Sequence, residues 1–156
     1  MRGKAKEDTL QGAKDTVFRL LNLRARSESE IRDKLTHKGF SEPVIERAVQ
    51  YFYDIRLIND REFAQKWISA RLARPWGISR IRFELKEKGV DIAVIEEEIQ
   101  KATEGYHETE AAVQLAQRQA SKYKNITQEK RQQRVYGYLM RRGFSLRAVL
   151  QAIKNI

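Results

Sequence analysis

The chain has 156 residues, of which a third are charged, and it carries a formal net charge of +10. It contains no cysteine, which excludes disulfides and thiolate zinc sites and suits a reducing cytoplasm. No apolar run could span a membrane and no signal peptide is recognisable, so we expect a cytoplasmic protein of about one domain's length, without a membrane partner.

The first three predicted helices follow directly from the pattern of apolar and capping residues. Residues 9–23 carry apolar side chains at helical spacing and predict the first helix. Ser27 and Glu30 have the spacing of a capping box and predict the start of a second helix, which ends at Gly39. Pro43 is compatible with the first turn of a third helix.

The next three helices repeat this order. Asn59 and Glu62 again have capping-box spacing and predict a helix over 60–73, which a Pro-Trp-Gly turn ends. The following helix ends at Gly89, after which Asp91 offers a side-chain oxygen to cap a sixth helix.

Two charge patterns lie on these middle helices. Arg80, Glu84 and Lys88 are spaced as an exposed i,i+4 ladder. The acidic run 96–98 points in several directions around its helix, and we expect it to form a solvated face.

The last third of the chain predicts three more helices. Residues 109–123 form the first of them, and Thr127 caps a second helix that ends at Gly143. Residues 146–156 form the last helix. The total is therefore nine predicted helices.

One apolar frame occurs three times without a gap and places Gly39, Gly89 and Gly143 at the same position. Each glycine follows a basic residue at a helix end, where a left-handed conformation closes the last carbonyls. Repeats of about 50 residues indicate stacked structural units. We therefore predict an all-α protein of three tandem three-helix units, spanning residues 1–57, 58–104 and 105–156.

Positive charge is concentrated in the third unit, which holds 10 Lys and Arg residues against 3 Asp and Glu residues. With Lys130 set to zero, Arg134 falls at roughly 40° and Arg141 at roughly 20° around a helix. Cations with interleaved aromatic rings suit phosphate contact and base stacking. The candidate DNA-binding residues are Lys122, Lys124, Lys130, Arg131, Arg134, Tyr138, Arg141 and Arg142.

The middle unit is neutral overall, yet it gathers arginines around the turn at 75–77. A tryptophan in a turn beside an arginine is a candidate interface residue. Packing over the adjacent helix would explain this tryptophan equally well. The candidate protein-contact residues are Arg71, Arg74, Trp76, Arg80 and Arg82.

Catalytic chemistry has little support in the sequence. His107 with the nearby Glu104 and Glu110 lacks a second histidine or a cysteine, which disfavours a metal site. Neither a phosphate-binding glycine-rich loop nor a nucleophile elbow is present. We therefore expect no enzyme activity, no cofactor and no metal.

The chain resembles the RecX family of regulators of the RecA recombinase. The resemblance is strongest in the middle unit and extends from about residue 14 to the third unit. The residues that carry it are Ser29-Glu30, Leu35 and Lys38-Gly39-Phe40; Asn59 to Ala64, Trp67-Ile68, Arg71, Gly77, Arg80-Ile81, Glu84-Leu85 and Lys88-Gly89-Val90; and Tyr138-Leu139 with Arg141 to Phe144.

The resemblance implies an elongated, curved helical body that binds in the groove of the RecA–DNA filament. It also implies restraint of the filament's ATPase, strand-exchange and coprotease activities, and binding to single- and double-stranded DNA. On this interpretation the middle-unit residues contact recombinase, and the chain acts as a monomer. Two alternatives stay open: a sequence-tolerant DNA- or RNA-binding module that needs no recombinase, and a helical scaffold that binds only protein.

Overall fold

The computed structural model describes residues 8–156, so the first seven residues of the predicted first unit lie outside the described residues. Within this range the chain forms nine helices and no strand, which confirms the all-α prediction. The helices are α1 Leu10–Leu23, α2 Glu28–His37, α3 Glu42–Asp54, α4 Asp60–Leu72, α5 Ile78–Glu87, α6 Ile92–Ala102, α7 Glu108–Ala120, α8 Gln128–Arg141 and α9 Leu146–Ile153.

Most of the predicted helix caps are present. The Ser27 hydroxyl accepts a hydrogen bond from the Glu30 N–H, and the Glu30 carboxylate accepts one from the Ser27 N–H, which confirms the capping box of α2. The Asn59 side chain accepts a hydrogen bond from the Glu62 N–H, so the second predicted capping box forms one of its two hydrogen bonds. Ser41 starts α3 without a side-chain cap. Pro43, two residues on, has no N–H to offer it.

The three repeated glycines close their helices as predicted. Gly39, Gly89 and Gly143 have φ values of 84°, 71° and 80°, in the left-handed region. In each corner the N–H of the residue after the glycine donates to a carbonyl five residues back, as from Val90 to Leu85 at 3.1 Å. The side chain of that following residue is buried and precedes the start of the next helix.

Each unit builds its own core from the apolar faces of its three helices. Ile31, Leu35 and Phe52 are fully buried in the first unit, and Val135 and Leu139 are fully buried in the third. The predicted unit boundaries fall between α3 and α4 and between α6 and α7. Ile58 follows the first boundary directly and packs with the first core.

The acidic run on α6 differs from its predicted solvated form at one position. Glu98 is only 3% exposed, and its carboxylate accepts hydrogen bonds from Gln65 at 2.8 Å and from Arg61. Arg61 and Gln65 are on α4, so they close over Glu98 when α4 packs on α6. A buried carboxylate needs such partners, because an unpaired charge is costly away from water.

The first and second units meet through a compact joint at the start of α2. The Ser27 hydroxyl donates to the Lys88 carbonyl at 2.5 Å, and the Glu28 N–H donates to the Asp60 carboxylate at 2.8 Å. Gly89 lies against Ser29 so closely that an added Cβ would be 2.3 Å from the Ser29 Cβ. The corner of the second unit is therefore seated on the first turn of α2.

The second and third units meet through an equivalent joint at the start of α5. The Gly77 N–H donates to the Arg142 carbonyl at 2.8 Å, and the Ile78 N–H donates to the Glu108 carboxylate at 3.3 Å. A Cβ added to Gly143 would be 2.5 Å from the Arg80 backbone nitrogen. The two joints are thus built alike. In each, the residue at a helix cap donates to the carbonyl that precedes a corner glycine, and the N–H of the next residue donates to a carboxylate at the start of the following unit.

Helix α8 departs from this repeat at its first turn. In the frame that aligns the corner glycines, Arg131 occupies the place of Gly77. Helix α8 begins at Gln128, so Arg131 already lies inside the helix, and its N–H donates to the Thr127 carbonyl at 3.0 Å. The backbone donor that Gly77 uses at the second joint therefore has its counterpart engaged within helix α8.

A side-chain ion pair reinforces the first joint and differs from the predicted ladder on α5. Arg80 pairs with Glu84 as expected, but the Lys88 ammonium reaches across to Glu30 of the first unit at 2.9 Å. Burial alone would raise the pKa of Glu30, but hydrogen bonds from Arg24, Lys88 and the Ser27 N–H outweigh it and lower that pKa from 4.5 to about 2.

We expect Glu30 to stabilise the protein above a pH of about 4.5 and to lose this effect as the pH falls toward 2, because its folded-state pKa is depressed. Urea unfolding of the parent and of Glu30→Gln should therefore differ most near neutral pH and converge on acidification. As a control, Glu104→Gln, at an exposed position, should change the unfolding free energy at neutral pH by no more than about 0.5 kcal/mol. A pH-independent difference for Glu30→Gln would contradict the assignment.

Candidate nucleic-acid and partner interface

A row of alternating cations and aromatic rings runs along the middle unit. The Lys88 ammonium lies 5.3 Å from the centre of the Trp67 ring. The Arg71 guanidinium follows, 4.8 Å from the Trp67 ring and 5.5 Å from the Trp76 ring. These distances are in the range of cation–π attraction. Lys88 also pairs with Glu30, so the row is tied to the first unit.

The row continues onto the third unit across the second joint. The Arg142 guanidinium lies 4.4 Å from the Trp76 ring and 5.2 Å from the Tyr138 ring. The Arg80 guanidinium lies 5.9 Å from the Trp76 ring, on the α5 side. We name this surface the cation–aromatic strip. It consists of Trp67, Arg71, Trp76, Arg80, Lys88, Tyr138 and Arg142.

One carboxylate, that of Glu84, positions the centre of the cation–aromatic strip. Its Oε2 accepts hydrogen bonds from the Trp67 indole at 2.9 Å and from Arg71 Nε at 2.6 Å, and its Oε1 accepts one from Arg80 Nε at 3.0 Å. The Glu84 side chain is 11% exposed. Because these bonds hold Trp67, Arg71 and Arg80 before any ligand arrives, little side-chain entropy remains to be lost on binding.

The cation–aromatic strip has an excess of positive charge and accessible ring surface. The strip contains four cations, of which Arg71 and Arg80 pair with Glu84 and Lys88 pairs with Glu30, and both tryptophans are only half-buried. A shallow pocket of about 270 Å³ opens beside it, lined by Trp67, Ala70, Arg71 and Arg74. Such a surface can stack planar groups, contact phosphates or receive protein carboxylates.

The structure brings together three of the five residues predicted to contact a protein partner. Arg71, Trp76 and Arg80 lie in the cation–aromatic strip, and Arg74 is exposed at the edge of the adjoining pocket. Arg82 lies elsewhere, since it makes two hydrogen bonds to Glu96 at 2.5 and 2.9 Å. Residues two apart on a helix point about 200° apart, which separates Arg82 from Arg80.

The predicted DNA-binding set has an exposed part on α8. Lys130, Arg134 and Arg141 are all exposed, and none of them forms an ion pair with a residue in the described range 8–156. Arg134 lies 5.2 Å from the Tyr123 ring. A Cβ added to Gly137 would approach only the Arg141 guanidinium, at 3.2 Å, so no neighbouring helix requires a glycine there. We name Lys130, Arg134 and Arg141 the α8 cationic face.

The other predicted DNA-binding residues occupy different surroundings. Arg131 is half-buried and donates to the Tyr123 carbonyl at 3.2 Å, so it holds the loop before α8. Lys122 bonds Gln119 at 3.2 Å, and Lys124 lines a pocket at the end of α7. The last two members, Tyr138 and Arg142, belong to the cation–aromatic strip.

Trp67, Glu84 and Lys88 are the site residues that sequence reasoning missed. Trp67 and Arg71 are spaced i,i+4, which placed them on one side of α4 and was the available signal. Within residues 8–156 no group of three His, Asp or Glu side chains could hold a metal ion. None of the helices in this range is long and apolar enough to cross a membrane.

Three family models match consecutive parts of the chain. Those described as the first, second and third three-helix domains of RecX match residues 13–52, 59–98 and 107–153, respectively. Each match lies within one of the three predicted units and together they cover most of the chain.

Curated relatives are similar over nearly the full chain. The chain is 33% identical to a regulatory protein RecX of Mycobacterium sp. strain KMS, over 87% of this chain and 76% of that protein. It is 30% identical to a regulatory protein RecX of Clostridium perfringens strain SM101, over 90% of this chain. The chain spans 66% of the length of that clostridial relative.

Two crystal structures have the same architecture. RecX from Lactobacillus salivarius superposes with a TM-score of 0.80 at 23% identity, over 95% of this chain and 96% of that chain. A second structure, of a regulatory protein RecX, superposes with a TM-score of 0.81 at 25% identity, over 94% of this chain and 73% of that one.

Proposed function

The chain belongs to the RecX family of regulatory proteins, and from this premise we propose that it binds the RecA–DNA filament in its groove and restrains RecA activity. The restrained activities are the ATPase, strand exchange and coprotease functions. No chemical step is assigned to the chain itself. The observation that supports this proposal most is the cation–aromatic strip, which is rigidly held and reaches from the middle unit onto the third.

The two joints allow this surface to extend over more than one unit. Hydrogen bonds at the starts of α2 and α5 connect three units that each have their own core. Stacked units add length rather than thickness, so such a chain can contact more than one protomer of a helical filament. A body lying along the filament would hinder the protomer rearrangements on which ATP hydrolysis and strand exchange depend.

In this proposal two surfaces of the chain contact different partners. The cation–aromatic strip docks on recombinase, where its arginines pair with acidic side chains and its rings add apolar contact. The α8 cationic face contacts the phosphates of the bound DNA. Arg142 is the member of the strip that directly follows Arg141 of the α8 cationic face, so it would contact the partner at the boundary between protein and DNA.

Arg74→Glu combined with Arg80→Glu should weaken the inhibition of RecA's DNA-dependent ATPase by about tenfold or more, because charge reversal repels an acidic partner surface. Binding to naked single-stranded DNA should fall much less. The measurements are ATP hydrolysis on saturating DNA and co-sedimentation with RecA filaments. Arg19→Glu with Arg47→Glu, at exposed positions of the first unit, makes the same change in net charge and should leave inhibition intact.

Inhibition that disappears when excess DNA is supplied would instead favour the alternative function, a sequence-tolerant DNA- or RNA-binding module. The observation that favours this alternative is the absence of carboxylate partners for the α8 cationic face within residues 8–156. Those three cations are available for phosphates whether or not recombinase is present.

Reversing Lys130, Arg134 and Arg141 to Glu should preserve helicity and reduce the salt dependence of DNA binding. Each lost phosphate contact removes about 0.9 from the slope of log K against log salt concentration on double-stranded DNA. The slope should therefore fall by roughly 2 to 3, as measured by fluorescence anisotropy at several salt concentrations. An unchanged affinity and slope would mean that the α8 cationic face is only a solvated surface.

A further inference from the structure

The first two units close the outer surface of their second and third helices in the same way. In the first unit Arg32 on α2 pairs with Glu46 on α3 at 2.8 Å. In the second unit Arg82 on α5 pairs with Glu96 on α6 at 2.5 Å. These two pairs occupy equivalent positions, fifty residues apart in the repeat frame.

The third unit replaces this ion pair with apolar side chains. In the repeat frame Tyr136 on α8 takes the place of Arg82, and Leu150 on α9 takes the place of Glu96. Met140 takes the place of Lys86, and Leu146 lies one turn before Leu150 on α9. The four side chains form what we name the apolar patch. Tyr136, Met140, Leu146 and Leu150 are 36%, 40%, 53% and 45% exposed, respectively.

We propose that the apolar patch is a second docking surface, for a protein that coats DNA and that presents apolar side chains surrounded by carboxylates. Contiguous exposed apolar patches larger than a few hundred Å² are rare on soluble monomers and mark interaction surfaces. The third unit departs at both positions of a pairing that the other two units share, so Tyr136 and Leu150 are specific to this unit, whereas Leu146 takes the place of the exposed Ile92 of the second unit.

The surroundings of the apolar patch indicate the chemistry of its partner. Exposed Arg141 directly follows Met140, and exposed Arg147 directly follows Leu146, so cations border the patch on both helices. Around α8, Tyr136 and Met140 lie about 80° to 160° from the three cations of the α8 cationic face, so the two surfaces flank the same helix. DNA on the α8 cationic face and protein on the apolar patch would therefore both contact α8, as is possible in a protein-coated DNA strand.

A second copy of the chain fits this surface poorly. The third unit carries 10 Lys and Arg residues against 3 Asp and Glu residues, so two such units repel each other. The acidic residues Glu96 and Glu97 on α6 are already paired with cations of the same chain.

The test variant introduces into the third unit the Arg–Glu ion pair that the first and second units carry. Tyr136→Arg combined with Leu150→Glu leaves net charge unchanged and restores an Arg–Glu pair that this fold accommodates twice. The proposal rests on the proposed function, so the probe is the RecA filament on single-stranded DNA. Filament affinity should fall about tenfold, whereas affinity for the same naked DNA should stay within about twofold.

Two further variants keep this test decisive. Met140→Lys with Leu146→Glu also preserves net charge and replaces the flanking pair, and it serves if the first variant loses helicity. Leu23→Glu, at a leucine of the first unit that is 79% exposed, is the control and should bind the filament like the parent.

The outcomes separate the two proposals. A parent chain that fails to bind filaments overturns the proposed function itself. A parent that binds, together with folded patch variants that bind equally well, overturns the apolar patch as a docking surface. Equal losses on filament and on naked DNA also overturn it, because the effect would then belong to DNA contact alone.

Discussion

Replacing Gly143 with alanine is expected to destabilise the protein by about 3 kcal/mol or more, whereas the same replacement at Gly39 should cost only about 1 to 2 kcal/mol. Both glycines have positive φ, so alanine is strained at either position. They differ in their neighbours. A Cβ on Gly143 would overlap the backbone of Arg80 across the second joint, while a Cβ on Gly39 meets nothing within 4 Å.

Urea unfolding followed by circular dichroism measures this difference directly. In a Trp67→Phe background, which leaves Trp76 as the one tryptophan of the sequence, fluorescence adds a local readout, because Trp76 lies beside Arg142 at the second joint. Gly143→Ala should release the third unit from the second and change this fluorescence, and Gly39→Ala should not. Equal losses of stability for the two variants would mean that the corner glycine contributes only its backbone conformation and that the joint adds nothing.

Replacing Trp76 with leucine should weaken filament binding and ATPase inhibition by about tenfold or more. Trp76 is the ring on which Arg71, Arg80 and Arg142 converge, so its loss removes both a stacking surface and the cation–π contacts that orient three arginines. Truncating a tryptophan at the centre of a protein interface costs about 2 kcal/mol or more, and the lost cation–π contacts add to this.

Trp76→Tyr is the matched control for this experiment, because it retains an aromatic face at the same position. It should recover most of the affinity that leucine loses, provided that both variants melt like the parent. If leucine and tyrosine behave alike, the aromatic face is not what the partner recognises. If leucine lowers the melting temperature strongly, the Trp76 ring serves the joint rather than the filament.

Features that depend on local sequence were predictable. Helix positions, the capping box at Ser27 and the left-handed corners at Gly39, Gly89 and Gly143 each depend on residues within one or two turns. Repetition of the frame strengthened every one of these assignments, because an apolar pattern that recurs three times is constrained more tightly than one that occurs once.

Features that depend on how the units stack were not predictable. The i,i+4 spacing predicts that Lys88 belongs to a charge ladder on α5, yet its partner Glu30 is 58 residues away. Glu84 was assigned to the same exposed ladder, yet it also holds Trp67 and Arg71 of α4. Such pairings follow from the packing of whole helices, and a period in the sequence does not contain that information.

The repeat frame itself indicates where the units meet. Ser27 and Gly77 occupy the same place in the repeat frame, as do Lys88 and Arg142, and these four residues supply the central hydrogen bonds of the two joints. The residue types differ because one joint uses a hydroxyl donor and the other a backbone N–H. A comparison based on side-chain similarity alone would therefore overlook the correspondence.

The engaged N–H of Arg131 has a consequence for self-assembly. At the other end of the stack, no heavy atom of residues 8–156 lies within 4 Å of a Cβ added to Gly39, so within this range the corner has room for the start of a helix from another copy. Heterologous contacts of this kind, repeated from copy to copy, generate open fibres. In the third unit the N–H that corresponds to that of Gly77 donates to the Thr127 carbonyl, so two copies of the chain cannot couple head to tail by the backbone bond that couples the second unit to the third. The chain therefore lacks, at its last unit, one of the contacts by which copies could add to one another end to end.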